Sequence, residues 1–394
     1  MISRAGRVPT GVDRVEFAYL NRLSDDPIPC FAIARTTLGY ILLNQTGARA
    51  IVARISGQAE WGQPDLLSRL ARSKPDTVRA AESDLRRLAL ARCRPQGLAR
   101  MLRRHLEPGY AYLNTGHSNL TTRMMSAVKA GQGQISVLVH DAIPLDFPHY
   151  QRPGTPARFA AILARVQRSA DLLIYNSADT QSRVRSWMAR DGESPPGIVA
   201  HLGVSPPRPN PKALPADLML DTPYFVTVGT IEPRKRHDIL LDAWEVLARD
   251  PDIETLPRLY ICGTRGWRNS EVFDRLDALP DHGPVQELSR LDDGAVAALT
   301  QGAEALLFPS EAEGFGLPPV EAAQLGVPVV CLDLPVYREI LGDIPVYEPA
   351  LDHYKWSKTI KHLIMARAQG TTAKPKRFVP ESWDAHFNIV LRLT

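Results

Sequence analysis

The sequence predicts an α/β protein of two domains, each built around a largely parallel sheet. Two successive series of short apolar runs alternate with longer amphipathic runs, the pattern of strands separated by helices. The chain has 394 residues, more than one hydrophobic core usually supports, and 44% of them are hydrophobic. Charged residues make up 23%, an ordinary share for a globular protein. There is therefore enough apolar material for two cores.

The first series contains the strands of the first domain, most of them separated by helical stretches. The first two lie so close together that they predict a hairpin rather than a crossover. The predicted strands are 29–34, 39–43, 110–113, 135–140, 172–175 and 198–200.

A proline-rich stretch separates the two series. Residues 203–222 contain five prolines, which discourage both a helix interior and a central strand. We therefore expect a first domain over 1–205, a linker over 206–222 and a second domain over 223–378. The second series begins with a strand at Tyr224–Val228, a helix at His237–Arg249 and a strand at Arg258–Cys262.

The most informative motif is Glu313-Gly-Phe-Gly-Leu-Pro-Pro-Val-Glu321, which places two carboxylates eight residues apart. The apolar run 303–308 precedes it, and Pro318 and Pro319 suit the first turn of a helix, so we predict strand, loop and helix. We expect Glu321 to lie about two turns into that helix. A helix start favours a phosphate, and carboxylates accept paired hydrogen bonds from sugar hydroxyls. The motif therefore suits a sugar and a ribose joined by a diphosphate.

Together with Gly326-Val-Pro-Val-Val330, the motif resembles the E-x7-E motif of family 4 retaining glycosyltransferases, which have the GT-B fold. The resemblance implies two Rossmann-like domains facing a central cleft. It implies transfer of a sugar from a nucleoside diphosphate sugar to a hydroxyl, with Glu313 on the sugar hydroxyls and Glu321 on the ribose. The spacing of the two glutamates, taken alone, is also compatible with a solvated helix face that has no functional role. The resemblance also implies that backbone groups of the loop stabilise the departing diphosphate. These belong to Gly314, Phe315, Gly316 and Leu317.

Three adjacent cations follow the first strand of the second series, in Gly229-Thr-Ile-Glu-Pro-Arg-Lys-Arg-His237. Guanidinium and ammonium groups at a strand-to-helix turn suit a diphosphate, although they could also form a solvated charge cluster. The run resembles the G-T-x-E-P-R-K-N segment of family 4, so Arg234 and Lys235 are predicted to hold the donor diphosphate. Some members carry an arginine where this chain has Thr230, so fewer charges are expected here.

Two histidines follow strands of the first series. His140-Asp141 ends the apolar run 135–140, and His117 follows 110–113, so both are placed to face a cleft at the carboxyl edge of a parallel sheet. A lone histidine is more often structural. The His-Asp pair resembles the family's H-D segment, which implies that His140 contacts the transferred sugar. His117 is predicted on the acceptor side, and residues around Leu288 are expected to pack on the base.

Both chain ends also resemble the family. Pro9-Thr-Gly-Val-Asp-Arg-Val15 resembles its T-G-I-x-R turn, which implies that Gly11 approaches the donor phosphate and that Arg14 reaches donor or acceptor. Family members have an apolar strand before this turn, whereas only MISRAGRVP precedes it here, so we expect a truncated or replaced strand. Segment 379–394 is predicted as a capped helix that crosses back to the first domain, with Trp383 and Phe387 packing at i and i+4.

The net charge of +4 gives no reason to expect a nucleic-acid partner. Residues 68–104 carry eleven Lys or Arg and three acidic residues, interleaved with leucines. We favour a solvated helical face, with peripheral contact to an anionic membrane as the alternative.

The cysteines lack metal or disulfide spacing, and no long apolar stretch is present, so a cytoplasmic location is expected. Cys262 and Cys331 are predicted core residues.

No apolar run leads into an Asp-x-Asp metal motif, and Asp250-Pro-Asp252 better suits a turn after a helix. We therefore expect no metal and no cofactor, with a nucleotide-sugar donor and a glycan or lipid-linked glycan acceptor as partners. One rival class is a nicotinamide dehydrogenase, but a G-x-G-x-x-G after a strand is missing. The other is a catalytically impaired GT-B scaffold that binds nucleotide-sugar or glycan without transfer.

Overall fold

The first half of the chain forms two separate sheets. The computed structural model describes residues 2–6, 9–70, 73–370, 375 and 377–394. The helices and strands of this half, in chain order, are α1 (Gly11–Ser24), β1 (Ala32–Thr36), β2 (Gly39–Leu43), α2 (Gln45–Ile55), α3 (Leu66–Leu70), α4 (Asp76–Arg87), β3 (Ala91–Cys93), α5 (Leu98–His105), β4 (Ala111–Asn114), α6 (Thr122–Ala130), β5 (Gln134–Val139), α7 (Ile143–Asp146), α8 (Thr155–Ser169), β6 (Leu172–Tyr175), α9 (Ala178–Met188) and β7 (Gly197–Val199).

An antiparallel sheet, β1-β2-β3, contains the predicted hairpin, with Ile33 opposite Leu42. The second sheet is parallel, in the order β4-β5-β6-β7. Val137 and Leu173 are paired in its central strands and are fully buried. The carboxyl ends of these strands therefore share one edge of the sheet, as the sequence predicts for His140 and His117.

The second half forms one parallel sheet of six strands, in the order β10-β9-β8-β11-β12-β13. The strands predicted at Tyr224–Val228 and Arg258–Cys262 are confirmed with the same bounds. The elements are β8 (Tyr224–Val228), α10 (His237–Leu247), β9 (Arg258–Cys262), α11 (Ser270–Asp277), β10 (Val285–Leu288), α12 (Asp293–Gly302), β11 (Leu306–Phe308), α13 (Leu317–Gln324), β12 (Val329–Leu332), α14 (Pro335–Leu341), β13 (Val346–Glu348) and α15 (His353–Ala368), followed by α16 (Trp383–Val390).

Both faces of this sheet are buried. Successive side chains of a strand point to opposite faces, and here both sets enter a core. Phe225 packs into a core with Trp244 of α10 and Trp356 of α15. Its neighbour Val226 belongs to a different core, shared with Phe315 and with Tyr19 of the first half. The sheet is therefore covered by helices on both sides, with one core continuing into the first half.

The last helix, α16, lies against α1. Ser382 caps it by accepting a hydrogen bond from the Ala385 amide. The Trp383 and Phe387 rings stack with centroids 5.5 Å apart, and Phe387 meets the Tyr19 ring edge-on at 5.0 Å. The packing role predicted for these two aromatic residues is thus observed.

Some predicted elements differ from the observed ones. Residues 303–308 were expected to form one strand, but β11 covers only Leu306–Phe308, because Ala303 ends α12 and its amide bonds the Thr300 carbonyl. Residues 2–4 form a short 3-10 helix. Asp250 and Asp252 lie in the predicted turn after α10, and both pair with Lys361.

The basic segment 68–104 buries part of its apolar side chains in the first half, including the core residues Leu85, Leu98 and Met101. Arg103 and Arg104 on α5 are exposed, as a solvated helical face predicts. The Arg86 side chain on α4 is only 7% exposed and pairs with Asp65, so the charged side of α4 is partly buried. Residues 71 and 72 lie outside the described residues. The Cys262 and Cys331 side chains are buried, as predicted.

Candidate functional site

The Glu313 carboxylate is the centre of a buried charge cluster at the carboxyl edge of the six-stranded sheet. Its Oε1 accepts hydrogen bonds from Lys235 Nζ at 2.5 Å, Arg234 Nη1 at 2.6 Å and Ser310 Oγ at 2.6 Å. Burial raises the pKa of Glu313, but the charges of Arg234 and Lys235 outweigh it and hold the pKa at about 2. Glu313 is therefore an anion held between two cations.

Arg234 and Lys235 lie on a short 3-10 helix between β8 and α10. Arg234 also pairs with Glu232 at 2.7 Å, and the side chains of Arg234 and Lys235 are only 19% and 9% exposed. The alternative of a solvated charge cluster is therefore wrong. Burial lowers the pKa of Lys235 from its usual value, although Glu313 acts in the opposite direction. The Lys235 ammonium also lies 4.3 Å from the centre of the Phe308 ring.

Gly314 is one of the points at which the two halves of the chain touch. A β-carbon there would overlap the carbonyl oxygen of His140, and the Gly314 carbonyl accepts a hydrogen bond from Ser177 Oγ at 2.9 Å. We expected the glycine to admit a ligand, whereas in this structure it admits the other half of the chain. The Phe315 side chain is buried in the core, so only its backbone is available to a ligand.

Gly316 and Leu317 begin α13. Gly316 has a φ of 85°, in the left-handed region that favours glycine, and a β-carbon there would crowd the Tyr337 ring at 2.6 Å. Leu317 lies beside Gly11 of the first half, where an added β-carbon would be 3.4 Å from Leu317 Cδ1. The structure therefore brings the predicted T-G turn against the predicted phosphate loop.

Glu321 is the fifth residue of α13, which places it about one turn into the helix rather than the two turns expected. Its Oε1 accepts a hydrogen bond from Arg14 Nη1 at 2.7 Å, and Arg14 Nη2 pairs with Asp293 at 2.5 Å. Burial raises the pKa of Glu321, and Arg14 opposes that shift. Arg14, from the first half of the chain, thus reaches two carboxylates of the second half.

The buried His140 and the half-buried His117 form a pair with ring centres 5.3 Å apart. His140 Nε2 lies 2.6 Å from the Thr115 carbonyl, and His117 Nε2 lies 3.1 Å from the Leu138 carbonyl. Burial lowers both pKa values, that of His117 to about 3, so both rings are neutral at physiological pH. His117 adopts a positive φ of 58°, an uncommon conformation that marks a constrained loop.

Asp141 faces Arg234 and Glu313 across the crevice. Burial raises the pKa of Asp141, while the positive charge of Arg234 opposes the shift. Asp141, Glu311 and Glu313 line one narrow crevice between the two halves. The sequence predicts the position of the His-Asp pair, but a role was assigned only to the histidine. The signal for Asp141 was its position directly after the same strand.

Thr230 and Leu288 occupy the same edge of the sheet as the cluster. Thr230 follows β8 and lies beside Gly266, and Leu288 ends β10 with its side chain packed against the core. They flank the cluster on the side of β9 and β10. Neither side chain is among those hydrogen-bonded to Glu313.

A further contact between the halves was missed by sequence reasoning. The Glu339 carboxylate accepts hydrogen bonds from the amides of Ala178 and Asp179, at 2.6 and 3.1 Å, at the start of α9. It also lies 2.7 Å from His201 Nε2. A lone glutamate in α14 carries no sequence signal for this role, because its partners lie far away along the chain.

Two absences concern the described residues, 2–6, 9–70, 73–370, 375 and 377–394. No group of three or more His, Cys, Asp or Glu side chains there could hold a metal ion. Among the helices that the structure describes, none is both long and apolar enough to span a membrane.

Residues 216–367 match the family model for glycosyl transferases group 1. A serotype-specific mannosyltransferase, WbdA of Escherichia coli, is 34% identical over 231 residues, which are 55% of this chain and 28% of that protein. An O-antigen chain mannosyltransferase B of Escherichia coli is 35% identical over 122 residues, or 30% of this chain and 31% of that protein. The chain thus spans less than a third of the length of these curated relatives.

A crystal structure of Anabaena Alr3699/HepE in complex with UDP and glucose superposes with a TM-score of 0.59. The match covers 76% of this chain and 80% of that one, at 16% sequence identity. This likeness concerns the fold. The chain accordingly has the GT-B fold, with two Rossmann-like domains facing a central cleft.

Proposed function

We propose that the chain is a family 4 retaining glycosyltransferase that moves a hexose from a nucleoside diphosphate sugar to a hydroxyl. The acceptor is a glycan or a lipid-linked glycan in cell-surface polysaccharide synthesis. One observation carries the proposal: Glu313, Arg234 and Lys235 form a single buried cluster that faces His140 and Asp141 across the cleft. The names of the two Escherichia coli relatives make mannose the first sugar to test.

The proposed division of labour follows the two halves. Residues 1–205 bind the acceptor and 223–378 bind the donor, joined by a linker over 206–222. Helix α16, in segment 379–394, ties the second half to α1 through Tyr19. Closure of the two halves about the linker would complete the site and exclude water.

In the donor site, Arg234 and Lys235 hold the diphosphate. Departure of the nucleoside diphosphate adds negative charge to its phosphate oxygens, and buried cations stabilise that charge more strongly than exposed ones do. The loop from Gly314 to Leu317 supplies backbone N–H groups, and Gly11 approaches from the first half. These groups do the electrostatic work that a metal ion does elsewhere, so we propose metal-independent transfer without a cofactor.

The two carboxylates bind hydroxyl groups. Glu321 accepts from the ribose in competition with Arg14, which holds its Oε1. Glu313 accepts from the hexose while remaining beside Lys235. His140 is neutral and contacts the hexose from the first half, with His117 behind it on the acceptor side. Leu288 and Thr230 border the base and the phosphates. Retention at the anomeric carbon means that the acceptor attacks from the face that the diphosphate leaves.

A donor screen followed by a transfer assay tests this proposal. The full chain is titrated with UDP-, GDP- and ADP-hexoses, GDP-mannose included, while its melting temperature is followed. The donor that stabilises the protein is then incubated with mannooligosaccharides, and the anomeric proton of the product is examined by NMR. We expect stabilisation by one nucleotide and an α-linked product from an α-linked donor. An inverted product would remove the retaining assignment, and the absence of nucleotide binding would remove the whole proposal.

The competing idea of a catalytically impaired scaffold predicts donor binding without turnover. Glu313, Lys235 and Arg234 are all present and already in contact, which argues against it.

We propose a cytoplasmic location, with peripheral contact at the inner face of the membrane through the basic segment 68–104. A vesicle flotation assay with anionic lipid tests that contact, and loss of flotation in high salt is the expected signature.

A further inference from the structure

The first turn of helix α9 is held by the second half of the chain. A helix start leaves backbone amides without partners inside the helix. Here the Ser177 side chain accepts a hydrogen bond from the Thr180 amide. The Glu339 carboxylate of α14 accepts from the next two amides, those of Ala178 and Asp179. Two of these three hydrogen bonds therefore come from the other half, and the partial positive charge of the helix start favours a carboxylate there.

Glu339 is ionised in this position. Its side chain is 19% exposed, and burial by itself raises its pKa. The hydrogen bonds from His201 and from the two α9 amides outweigh the burial, so the pKa of Glu339 lies below its usual value. The contact with α9 is therefore made by a charged group, and hydrogen bonds to charged groups are stronger than those between neutral ones.

The same turn of α9 touches both sides of the candidate site. Ser177 Oγ donates to the Gly314 carbonyl at 2.9 Å, and Thr180 Oγ1 lies 3.3 Å from the same oxygen. Just before the helix, Asn176 Nδ2 donates to the His140 carbonyl at 2.9 Å. All three of these α9 side chains are buried, so bulk water does not compete for their hydrogen bonds. A displacement of this turn would therefore move His140 relative to Gly314.

We propose that Glu339 is a positioning residue for sugar transfer. It fixes the first turn of α9 against the second half, and that turn sets the separation between His140 and the loop that starts at Gly314. This inference rests on the proposed function, in which His140 contacts the hexose while the second half holds the donor. Glu339 acts on the reaction through α9 rather than by contact with the donor. Loss of its carboxylate should therefore slow transfer and leave donor affinity nearly unchanged, because Arg234 and Lys235 stay in place.

The test uses variants of the full chain. Glu339→Ala removes the carboxylate, whereas Glu339→Gln keeps the volume of the side chain and one oxygen that can accept from an α9 amide. Arg338→Ala is the matched control. Arg338 lies on the same helix, but it pairs with Asp333 and Asp343 inside the second half.

The first measurement is amide hydrogen exchange, followed by mass spectrometry on peptides from the start of α9. It reports the contact of Glu339 with the Ala178 and Asp179 amides without any donor. We expect faster exchange there in Glu339→Ala, an intermediate rate in Glu339→Gln and the wild-type rate in Arg338→Ala. Wild-type exchange in Glu339→Ala would overturn the proposal.

The second measurement is the kinetics of transfer with the donor found in the screen. We expect Glu339→Ala to lower kcat about tenfold and to change the KM for the donor by less than about twofold. Glu339→Gln should recover part of kcat, and Arg338→Ala should match the wild type. Melting temperatures show how much of each variant is folded, so that kcat is compared per folded molecule. An unchanged kcat, or a loss seen only in the KM for the donor, would overturn the positioning role.

A double-mutant cycle tests the route through α9. Ser177→Ala removes the hydrogen bond to the Gly314 carbonyl, and it is combined with Glu339→Ala. If Glu339 acts through this turn, the double variant loses less kcat than the product of the two single losses. Losses that multiply would show that the two residues act independently and would overturn the route.

Failure of the proposed function is a separate result. The wild type would then neither bind nor hydrolyse any donor of the screen, while exchange at the start of α9 would still respond to Glu339→Ala. In that case the positioning role falls together with the proposed function, and only the contact between Glu339 and α9 stands.

Discussion

Arg14 donates a hydrogen bond to Glu321 over 2.7 Å, although 307 residues separate them along the chain. Arg14 stands at the start of α1 in the first half, and Glu321 stands in α13 of the second. In the proposed function Glu321 binds the ribose of the donor, so this ion pair occupies a donor contact before the donor arrives. Nucleotide binding and the contact between the halves therefore compete for the same carboxylate.

Replacing Arg14 should reveal that competition. We expect Arg14→Ala to bind the screened nucleoside diphosphate severalfold more tightly, because no guanidinium then competes for the Glu321 carboxylate. The partly exposed pair contributes only about 0.5 kcal/mol to the free energy of unfolding, so the fold should persist. Isothermal titration measures the affinity. Asp293→Asn, which removes the other partner of Arg14, is the matched control, and a weaker affinity in Arg14→Ala would contradict the competition.

Lys235 should be needed for transfer more than for folding. Lys235→Met keeps much of the side-chain volume but removes the charge, and we expect kcat to fall by about 100-fold because the leaving diphosphate loses a buried cation. Steady-state kinetics with the screened donor measure this. Lys361→Ala, which removes a lysine paired with Asp250 and Asp252, controls for a general loss of charge. Equal kcat values in the Lys235 variant and the wild type would show that Lys235 is structural.

Gly314→Ala should prevent close contact between the halves, because the added β-carbon would overlap the His140 carbonyl oxygen. We expect transfer to be lost, and small-angle scattering to report a larger radius of gyration than in the wild type. Ser177→Ala removes the hydrogen bond to the Gly314 carbonyl without adding bulk, and its effect should be smaller. An active and compact Gly314→Ala variant would mean that the closed contact is dispensable.

Acid should weaken the fold through Glu313. Its pKa is about 2 in the folded chain against 4.5 for a free carboxyl, so its stabilising contribution is complete above pH 4.5. The contribution is lost as the pH falls from 4.5 towards 2, since the unfolded chain takes up the proton first. The shift corresponds to about 3 kcal/mol.

The measurement is the free energy of unfolding of the wild type and of Glu313→Gln at a series of pH values. The glutamine variant should be less stable at neutral pH, because two buried cations lose their anion, and the two curves should converge in acid. Glutamine is preferable to alanine here because it keeps the volume of the side chain. Parallel curves across this range would mean that Glu313 is not ionised in the cluster.

The sequence alone determined the local elements of the site. Tyr224–Val228 and Arg258–Cys262 are correct because short apolar runs bounded by turn residues can be read from neighbouring residues. The strand at 303–308 was predicted too long, since Ala303 is apolar but ends a helix. Glu313, Arg234 and Lys235 were identified because each stands at a strand-to-helix turn, where side chains meet at one edge of a parallel sheet.

Only the tertiary structure decided which groups from the two halves meet. The pairing of Arg14 with Glu321, the contact of Gly314 with His140 and the hydrogen bonds of Glu339 to α9 depend on how the two halves dock. Local periodicity and propensity carry no information about that docking, because its partners lie far apart along the chain. The motifs therefore predict which charged side chains each half contributes to the candidate site. The packing between the halves determines which of these side chains are paired with each other and which are accessible to a ligand.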